Sequence, residues 1–164
     1  MKHALGLIAA LLISTAAHAH GFTAGDLEII HPSIPQPAAA AKSAAGYMGI
    51  TNKGAEADHL IGVETDAAEK SEVHVTKVGD DGVATMSHVE SIEIPAGDTV
   101  QLERGGLHVM LMGLNGTLNQ GDMVKATLIF EHAGRVDVEF MVDAPGGEDH
   151  SAMDHSAMDH STAE

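Results

Sequence analysis

Short runs of alternating apolar and polar residues fill the chain between residue 26 and about residue 143, and turn-forming residues separate the runs. Residues two apart on a β-strand point to the same face, so this alternation predicts half-buried strands. The predicted strands are 26–30, 46–51, 59–63, 71–77, 83–94 (one long strand or two short ones), 99–102, 107–111, 123–130 and 135–142. Strands at this spacing are typical of an antiparallel sandwich or barrel, so we expect an all-β fold.

The alternation also assigns faces within a strand. In segment 71–77, Val73 and Val75 share one face, whereas His74 lies on the other, polar face. Residues 38–45 form the one helix-like stretch. They follow three prolines and lack an apolar stripe, so we expect a loop with at most one helical turn there.

The first 19 residues have the pattern of a secretory signal peptide. A short positive start precedes a small apolar run that is too short to span a bilayer, and Ala17-His18-Ala19 is an A-x-A cleavage site. The alternative is a buried N-terminal helix. With cleavage, the mature chain begins at His20, and no later segment is apolar for long enough to cross a membrane. We therefore expect export to a bacterial periplasm.

Residues 144–164 differ in kind from the strands. The pentapeptide Asp-His-Ser-Ala-Met occurs at 149–153 and again at 154–158, and it offers no bulky aliphatic side chain to a core. We expect a disordered, metal-attracting tail. Its imidazoles favour Cu(II), its thioethers favour Cu(I), and its candidate ligands are His150, Met153, His155, Met158 and His160. The alternative is a solubilising tail with incidental histidines.

Composition narrows the function. Asp and Glu number 24 against 8 Lys and Arg, for a net charge of −16, which argues against nucleic-acid binding. The chain has no Cys, which excludes thiolate metal sites and the two-His, one-Cys site of a blue-copper electron carrier. It also has 12 His and 9 Met. Together these counts indicate soft-metal chemistry without thiols, and no nucleophile motif indicates an enzyme.

A candidate metal site combines residues from separate strands: His74, Met86, His108 and Met110. His108 and Met110 are two apart, so a strand points both side chains to one face. Thioethers favour Cu(I) and imidazole suits copper in either oxidation state, so two of each fit a cuprous ion. Each residue alone is weak evidence, since a lone Met is usually packing and a lone surface His is usually solvated. The prediction depends on the spacing.

That spacing resembles the signature of the periplasmic copper chaperone family with the PCuAC domain, His-Met-x10-Met-x21-His-x-Met. Here, eleven residues separate His74 from Met86, and twenty-one separate Met86 from His108, with Met110 two residues on. The chain departs at Val75, where the family has a Met and valine cannot ligate. The flanking segments 44–48 and 105–114 also resemble the family, and the likeness covers roughly residues 22–143.

The resemblance implies a cupredoxin-like Greek-key β-sandwich over residues 20–143 that binds one Cu(I) at a site near the surface. It further implies a non-enzymatic chaperone that delivers copper toward the copper A centre of cytochrome c oxidase, directly or with a Sco-type assembly protein. We expect a monomer. A copper buffer or resistance protein without a delivery target remains the alternative, and so does a sandwich domain that binds another protein and no metal.

Further histidines stay open. His20, at a cleaved N-terminus, could chelate Cu(II) with its own amine, as in copper-dependent polysaccharide oxidases, but one Tyr and no Trp leave little platform for a sugar. His88 follows Met86 by two residues and could share its face, and Met112 continues the face of Met110. The spacing assigns the remaining histidines to no metal-ligand set, and they are expected at the surface: His31, His59 and His132.

Overall fold

The computed structural model describes residues 21–146 of the chain. In this range the strands are β1 (Gly21–Ala24), β2 (Leu27–Pro35), β3 (Ser43–Asn52), β4 (Asp58–Glu64), β5 (Ala68–Val78), β6 (Ala84–His88), β7 (Ile92–Ile94), β8 (Thr99–Leu102), β9 (Leu107–Leu114), β10 (Met123–Phe130) and β11 (Arg135–Asp143). The predicted signal peptide, His20 and the candidate tail ligands lie outside the described residues. Residues 21–146 contain no helix that is long and apolar enough to cross a bilayer.

Every predicted strand is present in the structure, although β2, β5 and β9 extend beyond their predicted bounds. Segment 83–94 is two short strands, β6 and β7. Strand β1 was not predicted; it pairs with β2 across a tight turn at Gly25, whose φ is 59°. The loop predicted over 38–45 ends at residue 42, because Ser43 already begins β3. Within that loop, the Ala41 amide donates to the Ala38 carbonyl oxygen at 2.8 Å, a single turn rather than a helix.

The strands form two layers that share β3. Residues 43–46 of β3 pair with β9 and continue the order β6-β5-β9-β3, whereas the rest of β3 pairs with β2 and leads into β2-β11-β10-β4-β7. Strand β8 adds to β3, and β1 adds to β2. The strand pairs are antiparallel except β11 with β2, which is parallel. The expected all-β architecture is confirmed, and its sheet is mixed because of that one parallel pair.

The core lies between the two layers. Val109 and Leu111 of β9 and Val124 and Ala126 of β10 line one internal gap together with Phe140 of β11. Alternate residues of β11 are buried, as the alternation predicts. One face of the β5–β9 pair is therefore in the core, whereas β6 is exposed along its whole length.

A buried carboxylate ties β4 to the β10–β11 turn. Asp58 is 5% exposed and accepts hydrogen bonds from the backbone amides of His59 at 2.7 Å and of His132 and Ala133, both at 2.9 Å. Burial raises the pKa of Asp58, but the three backbone donors together outweigh burial and hold this pKa below its ordinary value. Asp58 is thus a structural anion that closes this end of the fold.

Candidate metal centre

Strand β5 sets the geometry of the site because it lies between β6 and β9. Its register places His74 directly opposite His88 of β6 on one side and His108 of β9 on the other. Three imidazoles therefore form one row across three strands, with His74 in the middle. Val73 and Val109, the strand neighbours of His74 and His108, are buried in the core. Because adjacent residues of a strand point to opposite faces, the row of histidines lies on the outer face of this sheet.

The two candidate methionines lie on the same face, one step from His74 in opposite directions. Met86 is opposite Thr76, and Met110 is opposite Glu72. Each methionine is therefore a diagonal neighbour of His74, at a spacing of about 7–8 Å that long side chains can bridge. The register brings all four predicted residues to one face, around His74.

His108 presents a nitrogen lone pair to this face. Its side chain is buried, with 3% of the residue exposed. The Nδ1 atom lies 3.1 Å from the carbonyl oxygen of Gly106. Since a carbonyl can only accept, Nδ1 carries the proton and Nε2 keeps the lone pair. That Nε2 is buried and has no hydrogen-bond partner among the described residues, which is the state a metal-binding imidazole needs.

His74 also has one hydrogen-bonded ring nitrogen and one without a partner, but the two nitrogens are exchanged relative to His108. Its Nε2 lies 3.1 Å from Oε2 of Glu72, so the protonated Nε2 donates to the carboxylate. Its Nδ1 is buried and has no hydrogen-bond partner within residues 21–146. A carboxylate that orients a histidine from behind is a common support of metal-binding imidazoles. The sequence did not lead us to predict that Glu72 orients His74. The signal was nevertheless present, because Glu72 lies two residues before His74 and so shares its face of the strand.

Glu72 is itself held as an anion. Lys70 Nζ lies 2.6 Å from Oε1 of Glu72, while Oε2 faces His74. The hydrogen bond from Lys70, and then that from His74, lower the pKa of Glu72 below its ordinary value. The ionised carboxylate is therefore available to accept the hydrogen bond from Nε2 of His74.

A family model described as "Putative lipoprotein LpqE-like" matches residues 27–142, a range that includes the four candidate ligands. The chain belongs to the LpqE-like family. A curated relative, the "Putative lipoprotein Lxx21020" of Leifsonia xyli subsp. xyli, is 36% identical over 94 residues. The alignment covers 57% of this chain and 56% of that relative, so the match spans little more than half the length of either protein.

Solved structures similar to this LpqE-like chain are PCuAC domains and related copper proteins. The "Copper-bound PCuAC domain from PmoF2" has a TM-score of 0.66 at 28% identity, covering 77% of this chain and 99% of that domain. The "Solution structure of CuI-DR1885 from Deinococcus radiodurans" has a TM-score of 0.58 at 30% identity, with 77% and 83% covered. The resemblance to the PCuAC family that the motif spacing predicts is thus confirmed at the level of the fold. Both of these neighbours were solved with copper bound, one of them with Cu(I).

The site of the LpqE-like chain opens at one end. Met86, on the β5–β6 hairpin, is 53% exposed, whereas His108 at the other end of the site is buried. The register also places Val75 opposite Leu107 and Ser87, on the other face from His74. The departure from the family signature at this position therefore removes no side chain from the face that bears the candidate ligands.

The remaining histidines separate into two groups. His88, left open by the sequence, has its ring centroid 6.0 Å from that of His74. The three expected at the surface lie outside the row and face carboxylates: His59 Nδ1 is 3.1 Å from Glu131, His132 Nδ1 is 3.7 Å from Asp58, and His31 Nε2 is 3.9 Å from Asp143. Met112 faces the same side as Met110, opposite Lys70.

Proposed function

We propose that this LpqE-like chain binds one Cu(I) ion as cargo, through His74, Met86, His108 and Met110. The observation that supports this most directly is the pair of imidazoles facing each other across β5 and β9. Each has a buried ring nitrogen with a lone pair and no partner in residues 21–146, on the face that also bears both thioethers. The copper-bound neighbours add support, since one of them is a Cu(I) form.

The chemistry of the set selects Cu(I) over divalent ions. Two thioethers and two neutral imidazoles bring no negative charge, and soft sulfur ligands favour a soft monovalent ion. A thioether does not titrate and does not form disulfides, so the set remains available in an oxidising compartment. The proposed role is therefore to bind Cu(I) where thiols are unreliable and to release it again.

We further propose the periplasm as the compartment and the copper A centre of cytochrome c oxidase as the destination, reached directly or through a Sco-type assembly protein. A family described by the word lipoprotein is consistent with export. The exposed Met86 is the ligand that an incoming acceptor meets first, and its thioether is a weaker ligand than a thiolate. Stepwise replacement starting at Met86 gives a route for release to a thiolate-bearing acceptor.

A competition titration tests the cargo. The full chain is titrated with Cu(I) against a chromophoric Cu(I) chelator, beside the double variant His108→Ala, Met110→Ala and the control Met123→Leu, which alters an exposed methionine of β10. We expect the double variant to lose the tightest equivalent and the control to keep it. Equal affinity in all three proteins would reject the site and favour a domain that binds another protein without metal.

A transfer experiment separates a carrier from a buffer. Cu(I)-loaded protein is mixed with an apo copper A domain, the two are separated, and the copper content of each is measured. Movement of copper to the acceptor supports delivery. Copper that stays with the LpqE-like chain favours the alternative, a periplasmic buffer or resistance protein.

We also propose that the tail captures additional copper, including Cu(II), through His150, Met153, His155, Met158 and His160. Support comes from the repeated sequence alone, since these residues lie outside the described range. Deletion of 148–164 should lower the Cu(II) stoichiometry and leave Cu(I) affinity unchanged. An unchanged Cu(II) stoichiometry would reject the tail site.

A further inference from the structure

A second group of donors overlaps the proposed Cu(I) site at His74 and adds two residues that the Cu(I) set does not use. Glu72, His74 and His88 each place a ligand atom within 4.8 Å of the other two. His88 belongs to β6 and Glu72 to β5, and both flank His74 on the outer face. The sequence shows His88 two residues after Met86 without indicating a purpose for it.

This group has a different chemistry from the Cu(I) set. It offers one carboxylate oxygen and two imidazole nitrogens and no sulfur, a combination that suits a divalent ion such as Cu(II) or Zn(II) rather than Cu(I). Lys70 occupies Oε1 of Glu72 at 2.6 Å and leaves Oε2 toward His74. His88 is exposed, so water can complete the coordination from solvent.

We propose that Glu72, His74 and His88 form a second metal site, for a divalent copper ion, that shares His74 with the Cu(I) set. The site faces solvent on the β6 side of His74, whereas His108 and Met110 lie on the β9 side. Because Met86 of the Cu(I) set also lies on β6, the two sets are distinguished by oxidation state and by the ring nitrogen of His74 that each one uses. The divalent site does not depend on the proposed cargo function, but the sharing of His74 rests on it.

Sharing one neutral imidazole makes the two sites mutually exclusive. A neutral ring has one protonated nitrogen and one lone pair. With the proton on Nε2, toward Glu72, the lone pair on Nδ1 is available to the soft set. When Nε2 instead binds an ion beside Glu72, the proton moves to Nδ1, and His74 no longer serves Cu(I). Occupation of either site therefore weakens the other.

The test uses the full chain, because the tail also carries histidines. Amide resonances in 1H–15N spectra are followed while sub-stoichiometric Cu(II) is added, since the paramagnetic ion broadens only nearby signals. We expect broadening at β5 and β6 around His74 and His88. The variant His88→Ala should lose this local broadening and keep any that arises elsewhere. The control His132→Ala, which removes another exposed histidine, should behave as the wild type.

Two further arms complete the design. His88→Ala should weaken Cu(II) binding at β5–β6 at least about tenfold while leaving Cu(I) affinity unchanged, and prior anaerobic loading with Cu(I) should suppress the Cu(II) broadening at β5–β6. Broadening that is absent in the wild type, or that survives in His88→Ala, overturns the site. Broadening that survives Cu(I) loading overturns the sharing of His74. A wild type that binds no Cu(I) would reject the cargo function without altering the Cu(II) result, so the two failures are distinguishable.

Discussion

His74 of β5 lies directly opposite His108 of β9, with 6.0 Å between the centroids of their imidazole rings. Behind each ring, an acceptor takes the proton of one nitrogen, the Glu72 carboxylate for His74 and the Gly106 carbonyl for His108. The opposite nitrogen of each ring is left as a buried lone pair. In the proposed Cu(I) site, these hydrogen bonds select the tautomers whose free lone pairs would bind the metal.

Replacement of one thioether should weaken Cu(I) binding without harming the fold. Met110→Leu keeps a similar apolar volume, which cores and half-buried sites tolerate well, but it removes a sulfur ligand. We expect Cu(I) affinity to fall at least about tenfold, as measured by chelator competition, with little change in thermal unfolding. Met123→Leu makes the same exchange on β10 and should change neither. An unaltered Cu(I) affinity in Met110→Leu would remove Met110 from the proposed set.

The tautomers provide a prediction that needs no metal. Because the Gly106 carbonyl accepts from Nδ1 of His108, long-range 1H–15N correlation spectra of the metal-free protein at neutral pH should show Nδ1 protonated and Nε2 unprotonated. His74 should show the reverse, with its proton on Nε2 toward Glu72. The variant Glu72→Gln serves as a probe of that orientation. A protonated Nε2 on His108 would contradict the proposed ligand atom.

Asp58 should make stability depend on pH. Its pKa is held below the ordinary value of 3.8, so its contribution is fully present above that value and is lost as pH falls through the lower, folded pKa. Asp58→Asn places an NH2 group where an oxygen now accepts from a backbone amide, and should cost about 1–3 kcal/mol at pH 7. Urea unfolding at pH 7 and in the acid range measures the difference in the free energy of unfolding between the wild type and Asp58→Asn.

The control for Asp58 is an exposed carboxylate. Asp137 accepts from the Thr127 hydroxyl on the surface, and Asp137→Asn should change the free energy of unfolding by no more than about 0.5 kcal/mol. The difference between wild type and Asp58→Asn should shrink as the pH falls below the folded pKa. A difference that stays constant into strong acid would show that the charge of Asp58 is not what stabilises the fold.

Gly46 should not tolerate a side chain. A Cβ at this position would lie 3.0 Å from Cε1 and 3.3 Å from Cδ1 of Phe140, tighter than most Cβ contacts, so the packed ring would have to shift. Gly46→Ala should therefore destabilise the protein by about 1–3 kcal/mol, measured by urea unfolding. The matched Gly116→Ala meets nothing within 4 Å and should be near neutral. Phe140→Leu added to Gly46→Ala should return part of the loss, and no return would place the strain elsewhere.

The sequence predicted strands best where one face is buried along the whole length. Strands β8 and β10 have the predicted bounds, 99–102 and 123–130. Residues 43–45, Ser-Ala-Ala, were predicted to be loop because small residues have little strand preference. They are a strand in the structure because β9 pairs with them. Pairing with a distant partner overrode local preference at that position.

The amino-acid sequence by itself determined the all-β class and the four candidate ligands, because alternation and spacing are properties of the chain. Only the tertiary structure decided that His74 has Glu72 behind it and His88 beside it, and which ring nitrogens keep their lone pairs. These features depend on the register of β5 against β6 and β9. Register results from contacts between residues far apart in the chain, so no local pattern contains it.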